Sequence, residues 1–373
     1  MAAPSKRDSP APLLVSRGSR TVAGKYIVKM KSEMSIQAMN AAISSIKAHA
    51  DHTYSQSFNG FAASLSPDQL QKLRQDPDVD FIEQDSVVTI STTASQSGAD
   101  WGLARISNRK AGGTVYTYDR SAGDGTCAFV IDTGVEASHP EFEGRAKFLK
   151  NFAGDMEDSD GHGHGTHVCG TIASKTYGVS KKTKIFAVKV LDSTGYGTTS
   201  AVIAGMDYVT AQAKNQNCPK GVVVNMSLGG SKSTAVNLAA AGITKAGLFL
   251  AAAAGNDADD ASNASPASEK SVCTVGATTK ADVFAPYSNM GPMVDILAPG
   301  SDILSTWIGG ATNTISGTSM ATPHVAGIAA YFLGKGRKVA GLCDYIVRNG
   351  VKNAIKNVPS DTLNVIINNR GGR

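Results

Sequence analysis

Hydrophobic spacing in residues 25–90 predicts a small domain that mixes strands and helices. Apolar side chains alternate with polar ones in some segments, as in a half-buried strand, and recur every three or four positions in others, as in a helix. A helix start at Ser66-Pro67 has Gln69 at the capping-box spacing. The predicted elements are, in chain order, a strand at 25–30, a helix at 35–50, strands at 54–58 and 61–65, a helix from 66 and a strand at 80–90. The order βαββαβ predicts an antiparallel sheet with two helices on one face.

A different pattern begins at Trp101, where short continuous apolar runs alternate with helical segments. Such runs are typical of strands that are buried on both faces. They cover 128–131, 185–190, 222–224, 248–253 and 272–275, with helices predicted between them, for example at 201–213 and 235–246. We therefore expect an α/β domain in which helices cover both faces of a parallel sheet. Ligands of such sheets bind where the strands end, so polar residues that follow strands are the candidates for chemistry.

Composition and linker chemistry define the expected domain organisation. A length of 373 residues fits two domains, and residues 91–100 are small and polar like an exposed linker. We expect a disordered leader at 1–24, a small domain with its linker at 25–93 and the large domain at 94–373. Charged residues make up 18% of the chain and the net charge of +5 is scattered, so no nucleic-acid partner is expected. No apolar run approaches the roughly 20 residues of a membrane-spanning helix, and no membrane partner is expected.

Four polar positions stand where the predicted α/β domain could carry out chemistry. Asp132 ends one predicted strand, and Asn256 directly follows another. Ser319 precedes the apolar segment 325–333, near a helix N-terminus whose N–H groups favour a developing oxyanion. Residues 162–167 contain three histidines among glycines, a pattern that fits a polar loop or a zinc site of three imidazoles. Taken singly, each of these residues is equally typical of a turn or a helix cap.

Taken together, the four positions point to one kind of enzyme. The order Asp132, His164, Ser319 is the order of the catalytic triad in subtilisin, and it differs from that of chymotrypsin and the α/β-hydrolases. The chain resembles the subtilase family, and in further segments its fungal proteinase K-like branch. The matching signatures are Val130-Ile131-Asp132-Thr133-Gly134, Gly163-His164-Gly165-Thr166-His167 and Gly317-Thr318-Ser319-Met320-Ala321-Thr322-Pro323-His324.

This likeness covers roughly residues 94–373, and residues 25–90 resemble the subtilisin propeptide domain. It implies a subtilisin-like α/β fold, a parallel β-sheet sandwiched by helices, preceded by a small α+β propeptide domain of the ferredoxin-like βαββαβ type. The implied activity is that of a serine endopeptidase. In such an enzyme Ser319 attacks the scissile carbonyl, His164 transfers the proton, and Asp132 orients the imidazole.

The resemblance also implies a substrate site. Asn256 is expected to donate its side-chain amide to the oxyanion. The substrate backbone is expected to add as a strand, with an apolar or aromatic P1 side chain, the one that precedes the scissile bond, in an open pocket with small walls. The expected substrate-binding residues are Gly195, Tyr196, Gly197, Ser227, Leu228, Gly229, Ala253 and Gly255.

Five cysteines lie beyond residue 126 without metal-binding spacing. From the residues alone, two disulfides with one free thiol and five buried thiols are both open. The resemblance pairs Cys127 with Cys218 and Cys273 with Cys343, and it leaves Cys169 free. It therefore implies a secreted, extracellular protein whose signal peptide is not present in this chain.

The resemblance further implies how the enzyme is stabilised and activated. No cofactor is expected for catalysis, but a structural calcium ion is expected on the Asp295 carboxylate and the carbonyls of Lys270 and Val272. The propeptide is expected to act as an intramolecular chaperone and inhibitor that is released by self-cleavage near Thr93–Ala94. The mature enzyme is expected to be a monomer that acts on protein and peptide substrates.

Two other functions are compatible with parts of the sequence. A metallohydrolase would use His162, His164 and His167, although no acidic ligand or general base follows them at motif spacing. A catalytically inactive binding module would not need a complete triad, yet every triad position is filled. The geometry of the three histidines distinguishes a metal centre from a triad.

Overall fold

The computed structural model describes residues 9–15, 21–86 and 93–371. The chain divides into two compact units, one up to residue 91 and one from residue 92 onward. The end of the predicted strand, Val87-Val88-Thr89-Ile90, and the linker residues Ser91 and Thr92 lie outside the described residues.

The N-terminal unit has the predicted βαββαβ order with one additional short strand. Its elements are β1 (Leu13–Leu14), β2 (Thr21–Met30), α1 (Ile36–Ser45), β3 (Ala50–Tyr54), β4 (Gly60–Ser64), α2 (Pro67–Arg74) and β5 (Val79–Ser86). The sheet order is β1-β5-β2-β4-β3, with β1 parallel to β5 and the other neighbours antiparallel. Met39, Phe61 and Leu73 lie in its core. α2 begins with the predicted capping box, in which Ser66 and Gln69 exchange hydrogen bonds of 2.8 and 3.3 Å.

Part of the leader, within the described residues 9–15 and 21–24, differs from the prediction. Residues 1–24 are predicted to be disordered, yet Ala11 is fully buried and Leu13 pairs with Ile82 of β5. The Ala11 N–H donates to the Arg74 carbonyl at 2.7 Å, and the Arg74 Nε donates back to the Ala11 carbonyl at 3.0 Å. These contacts join segments that are about sixty residues apart. Local hydrophobic spacing carries no signal for such long-range pairing, so the prediction misses it.

Helix α1 is shorter than predicted. It ends at Ser45 rather than at residue 50, and β3 occupies 50–54 instead of 54–58. The cause is the backbone at Lys47, which has a φ of 51° and lies in the left-handed region that a right-handed helix cannot continue through.

The second unit contains a long series of alternating strands and helices. Its elements are β6 (Thr93–Ser97), α3 (Trp101–Ser107), β7 (Val115–Asp119), β8 (Thr126–Asp132), β9 (Ala146–Asn151), α4 (His164–Ala173), β10 (Lys184–Lys189), α5 (Thr199–Gln212), β11 (Gly221–Met226), β12 (Gly230–Ser231), α6 (Thr234–Lys245), β13 (Phe249–Ala253), β14 (Ala264–Ser265), β15 (Cys273–Thr278), β16 (Ile296–Pro299), β17 (Ile303–Trp307), β18 (Ala311–Ile315), α7 (Thr318–Gly334), α8 (Leu342–Asn349), β19 (Val351–Lys352) and β20 (Val365–Ile366). The main sheet has the order β19-β20-β16-β15-β13-β11-β8-β10-β9, and its neighbours are parallel except for β19 and β20.

Helices cover both faces of this sheet, as predicted. Along the central strand β8, Ala128 and Val130 pack into a core that includes residues of α4 and α7. The alternate residues Phe129 and Ile131 pack into a second core with residues of α5 and α6. Both sets are fully buried. The sequence of β8 is therefore a continuous apolar run, although its side chains pack alternately into two different cores. The carboxyl ends of β8, β10 and β11 consequently meet at one edge.

The predicted cleavage bond lies on β6, which pairs antiparallel with β7. Thr93 is opposite Asp119 and Ala94 is opposite Tyr118. The Asp119 N–H donates to the Tyr331 hydroxyl at 2.9 Å. Tyr331 follows Ser319 by twelve positions on α7, which corresponds to about 18 Å of helix. In this structure the Thr93–Ala94 bond is therefore remote from Ser319.

Two disulfides cross-link the second unit. Cys127 on β8 is joined to Cys218, and Cys273 on β15 is joined to Cys343 on α8. They close segments of 91 and 70 residues, and a loop of this size is associated with a stabilisation of about 4 kcal/mol. The Cys169 thiol is free and fully buried, and its burial, followed by the charges of two nearby carboxylates, raises its pKa well above the ordinary value. It is therefore a neutral core residue.

Along the described ranges, no helix is long and apolar enough to cross a membrane.

Candidate active site

Asp132 and His164 meet at the carboxyl edge of the sheet. Asp132 is the last residue of β8 and is fully buried, and His164 is the first residue of α4. His164 Nδ1 lies 2.7 Å from Asp132 Oδ1, which also accepts the Thr133 N–H at 2.7 Å. Because Nδ1 is engaged by the carboxylate, Nε2 is the nitrogen left for proton transfer.

The electrostatic surroundings favour the charged imidazole of His164. Burial lowers the pKa of His164, but the charge and hydrogen bond of Asp132, with a further contribution from Asp160, outweigh it. The net effect is a pKa above the ordinary value. A base of this kind takes up a proton readily from a neighbouring hydroxyl.

The glycines that flank His164 are required by close packing. A Cβ on Gly165 would lie 2.2 Å from the Gly134 carbonyl oxygen, and one on Gly163 would lie 2.4 Å from the Trp307 ring. Gly163 also has a φ of 104°, which favours glycine. The Gly-His-Gly sequence therefore allows the first turn of α4 to press against the turn that follows β8.

Asp160 holds this first turn in place, a role that the sequence analysis missed. One carboxylate oxygen accepts the Thr133 hydroxyl and the N–H groups of His162 and Gly163 at 2.8–3.0 Å. The other accepts the Thr166 N–H and hydroxyl at 2.8 and 2.7 Å. Burial raises the pKa of Asp160, but these hydrogen bonds outweigh it and lower the pKa overall. Asp160 thus stays ionised and ties the β8 turn to the α4 N-terminus.

A buried lysine supports the same turn from the other side. Lys189 ends β10 directly beside Asp132 in the sheet and is fully buried. Its ammonium group donates to the Thr133 carbonyl at 3.1 Å and pairs with Asp155 at 3.1 Å. The sequence gives a weak indication that Asp160 belongs to the site, because this residue begins the histidine-rich segment. It gives no such indication for Lys189.

Ser319 lies in the first turn of α7, close to the carboxyl edge of the sheet where His164 lies. Both residues line the same groove. The Ser319 hydroxyl donates to the Ser227 carbonyl at 2.9 Å, and the Ser227 hydroxyl donates to the Ser319 carbonyl at 2.7 Å. No hydrogen bond joins Ser319 to His164 in this structure. In this structure the Ser319 hydroxyl is therefore engaged by Ser227 and not by His164.

Asn256 follows β13 and is oriented by Thr318. Its side-chain oxygen accepts the Thr318 N–H at 2.8 Å and the Thr318 hydroxyl at 2.9 Å. This fixes the carbonyl end of the amide against α7, so the NH₂ end is available to the groove that Asn256 lines with Ser319. Thr318 is a supporting residue that the sequence analysis did not identify, although it is adjacent to Ser319.

The predicted substrate-binding residues line two adjoining cavities. The larger, of about 810 Å³, is bordered by residues 195–197 and 227–229 as well as by His164, Asn256 and Ser319. The smaller, of about 380 Å³, adjoins Ser319 and has small side chains in its walls. The larger cavity is lined by Gly195, Tyr196, Gly197, Ser227, Leu228 and Gly229, and the smaller by Leu228, Gly229, Ala253 and Gly255.

The three histidines of residues 162–167 do not converge on a metal. His164 Nδ1 faces Asp132, while the fully buried His167 contacts the Ile303 carbonyl through Nε2 at 2.9 Å. The His162 ring centroid is 6.3 Å from that of His164. Within the described part of the chain, the single group with metal-binding proximity is Cys273, Asp295 and Cys343, and both of its sulfurs belong to a disulfide. The zinc alternative therefore has no geometric basis.

The residues predicted to hold calcium lie around one surface cavity of about 380 Å³. Lys270, Val272 and Asp295 line it together with Asp344, which the sequence analysis did not identify. Burial, with the charge of Asp344, raises the pKa of Asp295 to about 6. The two carboxylates that border this cavity are oxygen ligands of the kind that calcium prefers, and the Lys270 side chain is exposed.

Known proteins share both units of this chain. The family model described as subtilase family, peptidase S8, matches residues 123–363, and the peptidase inhibitor I9 model matches residues 25–91. Proteinase T from Parengyodontium album is 68% identical over 293 residues, which are 79% of this chain and 99% of that protein. The cuticle-degrading protease of Metarhizium anisopliae is 53% identical over 366 residues, which are 98% of this chain and 94% of that protein.

A solved structure agrees with these matches. The crystal structure of a cold adapted subtilisin-like serine proteinase has a TM-score of 0.69 and 43% sequence identity, and the match covers 73% of this chain and 99% of that one. The family match and the relatives named as proteases identify the chain as a serine endopeptidase. The chain belongs to the subtilase family, in a form that carries an inhibitor I9 propeptide domain before the protease domain. The predicted family and fold are thereby confirmed.

Proposed function

We propose that this protein is a secreted endopeptidase of broad specificity with a preference for apolar or aromatic P1 residues, made as a zymogen that cleaves itself near Thr93–Ala94. The observation that carries the proposal is the placement of His164. Its Nδ1 is bound to the buried Asp132 at 2.7 Å, and the ring lines the groove that contains Ser319 and Asn256.

The proposed reaction begins when substrate enters the groove. The Ser319 hydroxyl leaves the Ser227 carbonyl, passes its proton to His164 Nε2 and attacks the scissile carbonyl carbon. Asp132 stabilises the resulting imidazolium. The Asn256 NH₂ group, which Thr318 keeps turned toward the groove, donates to the oxyanion together with the Ser319 N–H. His164 then gives the proton to the leaving amine, and water hydrolyses the acyl-enzyme by the same steps.

Maturation requires a rearrangement of β6. The Thr93–Ala94 bond pairs with β7 at the far end of α7, so β6 has to leave β7 before Ser319 can reach this bond. The inhibitor I9 match of residues 25–91 supports a role for the N-terminal unit as chaperone and inhibitor of its own protease. We propose that the segment before Ala94 occupies the groove as an added strand and that β6 pairs with β7 after cleavage.

Three further properties belong to this proposal. Secretion is supported by the two disulfides, which form and persist in oxidising compartments. A monomer suffices, because Asp132, His164, Ser319 and Asn256 all come from one chain. Calcium would be held by Asp295 and the carbonyls of Lys270 and Val272, where it would neutralise the Asp295 and Asp344 charges and stabilise the fold.

Replacement of the nucleophile tests this function directly. Ser319→Ala should fold normally, lose peptidase activity by about 10⁶-fold, a magnitude known for subtilisin, and remain a single uncleaved chain. The wild-type protein should yield a mature chain that begins near Ala94. Ser316→Ala is the matched control, since this exposed hydroxyl donates to Asp302 and lies outside the groove lining. Normal maturation of Ser319→Ala without added protease would refute self-cleavage.

A further inference from the structure

The hairpin β17–β18 lies between the helix that begins with His164 and the helix that carries Ser319, and the proposed mechanism does not use it. β17 begins shortly after Gly300, and β18 leads through residues 316–318 to Ser319. The Gly317 N–H donates to the Gly300 carbonyl at 2.9 Å, which closes the base of the hairpin just before Ser319. The placement of the hairpin therefore bears on the placement of Ser319.

Two buried hydroxyl groups fasten β17 to the first turn of α4. The Ser305 hydroxyl donates to the His167 carbonyl at 2.8 Å, and the Thr306 hydroxyl donates to the Thr166 carbonyl at 2.8 Å. Both hydroxyl side chains are fully buried. In the other direction, His167 contacts the Ile303 carbonyl through Nε2 at 2.9 Å. Three hydrogen bonds thus join β17 to the part of α4 that begins with the proposed base.

The backbone of α4 approaches β17 closely. A Cβ on Gly170 would overlap the hydroxyl oxygens of Ser305 and Thr306. A Cβ on Gly163, which precedes the helix, would overlap the Trp307 ring. Because glycine allows this close approach, short side chains of β17 reach the helix carbonyls directly. A shift of α4 along β17 would break the hydrogen bonds of both hydroxyl groups.

The hydroxyl groups of β17 are additional donors to carbonyls that already belong to a helix. In an α-helix the carbonyls of Thr166 and His167 accept N–H groups from the following turn. The His167 carbonyl also accepts the Thr171 hydroxyl from within α4, at 3.1 Å. Ser305 and Thr171 therefore donate to the same oxygen, but Ser305 joins α4 to another element and Thr171 does not.

We propose that Ser305 and Thr306 are positioning residues for catalysis, which hold the helix of His164 in register with the hairpin that leads to Ser319; this rests on the proposed roles of His164 and Ser319. In this structure the Ser319 hydroxyl is engaged by Ser227, so its approach to His164 depends on where the two helices are held. A misplacement of about 1 Å can cost about 10²-fold in rate. Neither Ser305 nor Thr306 lines the substrate cavities, so the loss should appear in kcat and not in KM.

Removal of the two hydroxyl groups tests the proposal on a peptide p-nitroanilide with phenylalanine at P1. Ser305→Ala and Thr306→Val should each lower kcat about three- to tenfold, and the double variant should lower it about ten- to a hundredfold. KM should stay within about twofold of wild type. Thr306→Ser keeps the hydroxyl and should restore kcat to within about twofold of wild type. Circular dichroism supplies the folded fraction, so that kcat is compared per folded enzyme.

Thr171→Val is the matched control, because it removes a buried hydroxyl from the same His167 carbonyl without loosening α4 from β17. It should keep kcat within about twofold of wild type. Equal kcat losses in Thr171→Val and Ser305→Ala, or a lower Tm with unchanged kcat in Ser305→Ala, would overturn the positioning role. The comparison of these two single variants stands even if the variants at Thr306 fail to fold. If wild type does not cleave the peptide, or Ser319→Ala cleaves it equally well, the proposed function itself has failed.

Discussion

Two histidines one turn apart on α4 lie in different environments. His164 begins the helix beside the buried Asp132 carboxylate, and its pKa is raised above the ordinary value. His167 faces the inside of the protein, contacts the Ile303 carbonyl, and has its pKa lowered by burial to about 4. The same residue type is thus a poised base at the first position of the helix and a neutral packing residue three positions later. A carboxylate partner decides which of the two roles a buried histidine takes.

The largest expected difference between the two histidines is in catalysis. His164→Ala should reduce kcat by about 10⁶-fold, because triad members act as a unit, with this magnitude known for subtilisin. His167→Gln keeps a donor for the Ile303 carbonyl and should retain kcat within tenfold. Circular dichroism would give the fraction of folded enzyme in each preparation. Comparable losses in kcat per folded site for the two variants would contradict the division of roles.

Removal of the Asp132 carboxylate should bring the pKa of His164 closer to that of His167. Asp132→Asn is expected to lower kcat by about 10⁴-fold, since the amide no longer stabilises the imidazolium. The pKa of His164 should fall, because both its main raising influences come from Asp132. Histidine NMR titration in an otherwise inactive Ser319→Ala background would measure that pKa. An unchanged His164 pKa would mean that Asp132 does not control it.

Acid should destabilise the protein through its buried histidines. The folded-state pKa of His167 is lowered below the unfolded value of about 6.5, so its contribution to stability is complete above that pH and is lost as the pH falls toward 4. The loss amounts to roughly 3 kcal/mol, and His324, whose pKa burial also lowers to about 4, should add a similar loss.

Denaturant unfolding of the Ser319→Ala protein at pH 7.5 and pH 4 would measure this loss without self-digestion. His167→Gln should show a decline that is smaller by roughly 3 kcal/mol. A variant that declines as steeply as its parent would show that His167 does not titrate in this range.

The smallest expected effect concerns Asp160, whose charge is a minor contribution to the pKa of His164. Asp160→Asn should shift the acid limb of the kcat/KM profile to lower pH, because one influence that raises the His164 pKa is removed. Activity at the optimum should fall by less than about tenfold. Asp160→Glu, which keeps the charge, is the matched control and should preserve the position of the acid limb. A shift of the same size in both variants would assign it to altered geometry instead of charge.

Sequence patterns predicted the parts of this molecule that are encoded locally. The buried strand before Asp132, the Gly-His-Gly turn and the capping box at Ser66 all follow from residue types at short spacing. The parts that were missed depend on tertiary contacts. Asp160 binds segments before and after itself, Lys189 reaches the turn of a neighbouring strand, and the leader pairs with β5 through residues that have no strand pattern of their own.

The central claim is that Ser319 is the nucleophile and His164 its base. Treatment of the mature enzyme with a serine-directed phosphonylating reagent, followed by peptide mass spectrometry, tests it most directly. We expect one adduct, on Ser319, that forms in parallel with loss of activity and slows as the pH falls through the pKa of His164. The adduct should be absent in His164→Ala and should form in the presence of a zinc chelator. An active enzyme that resists the reagent, or an adduct on another residue that abolishes activity, would contradict the account.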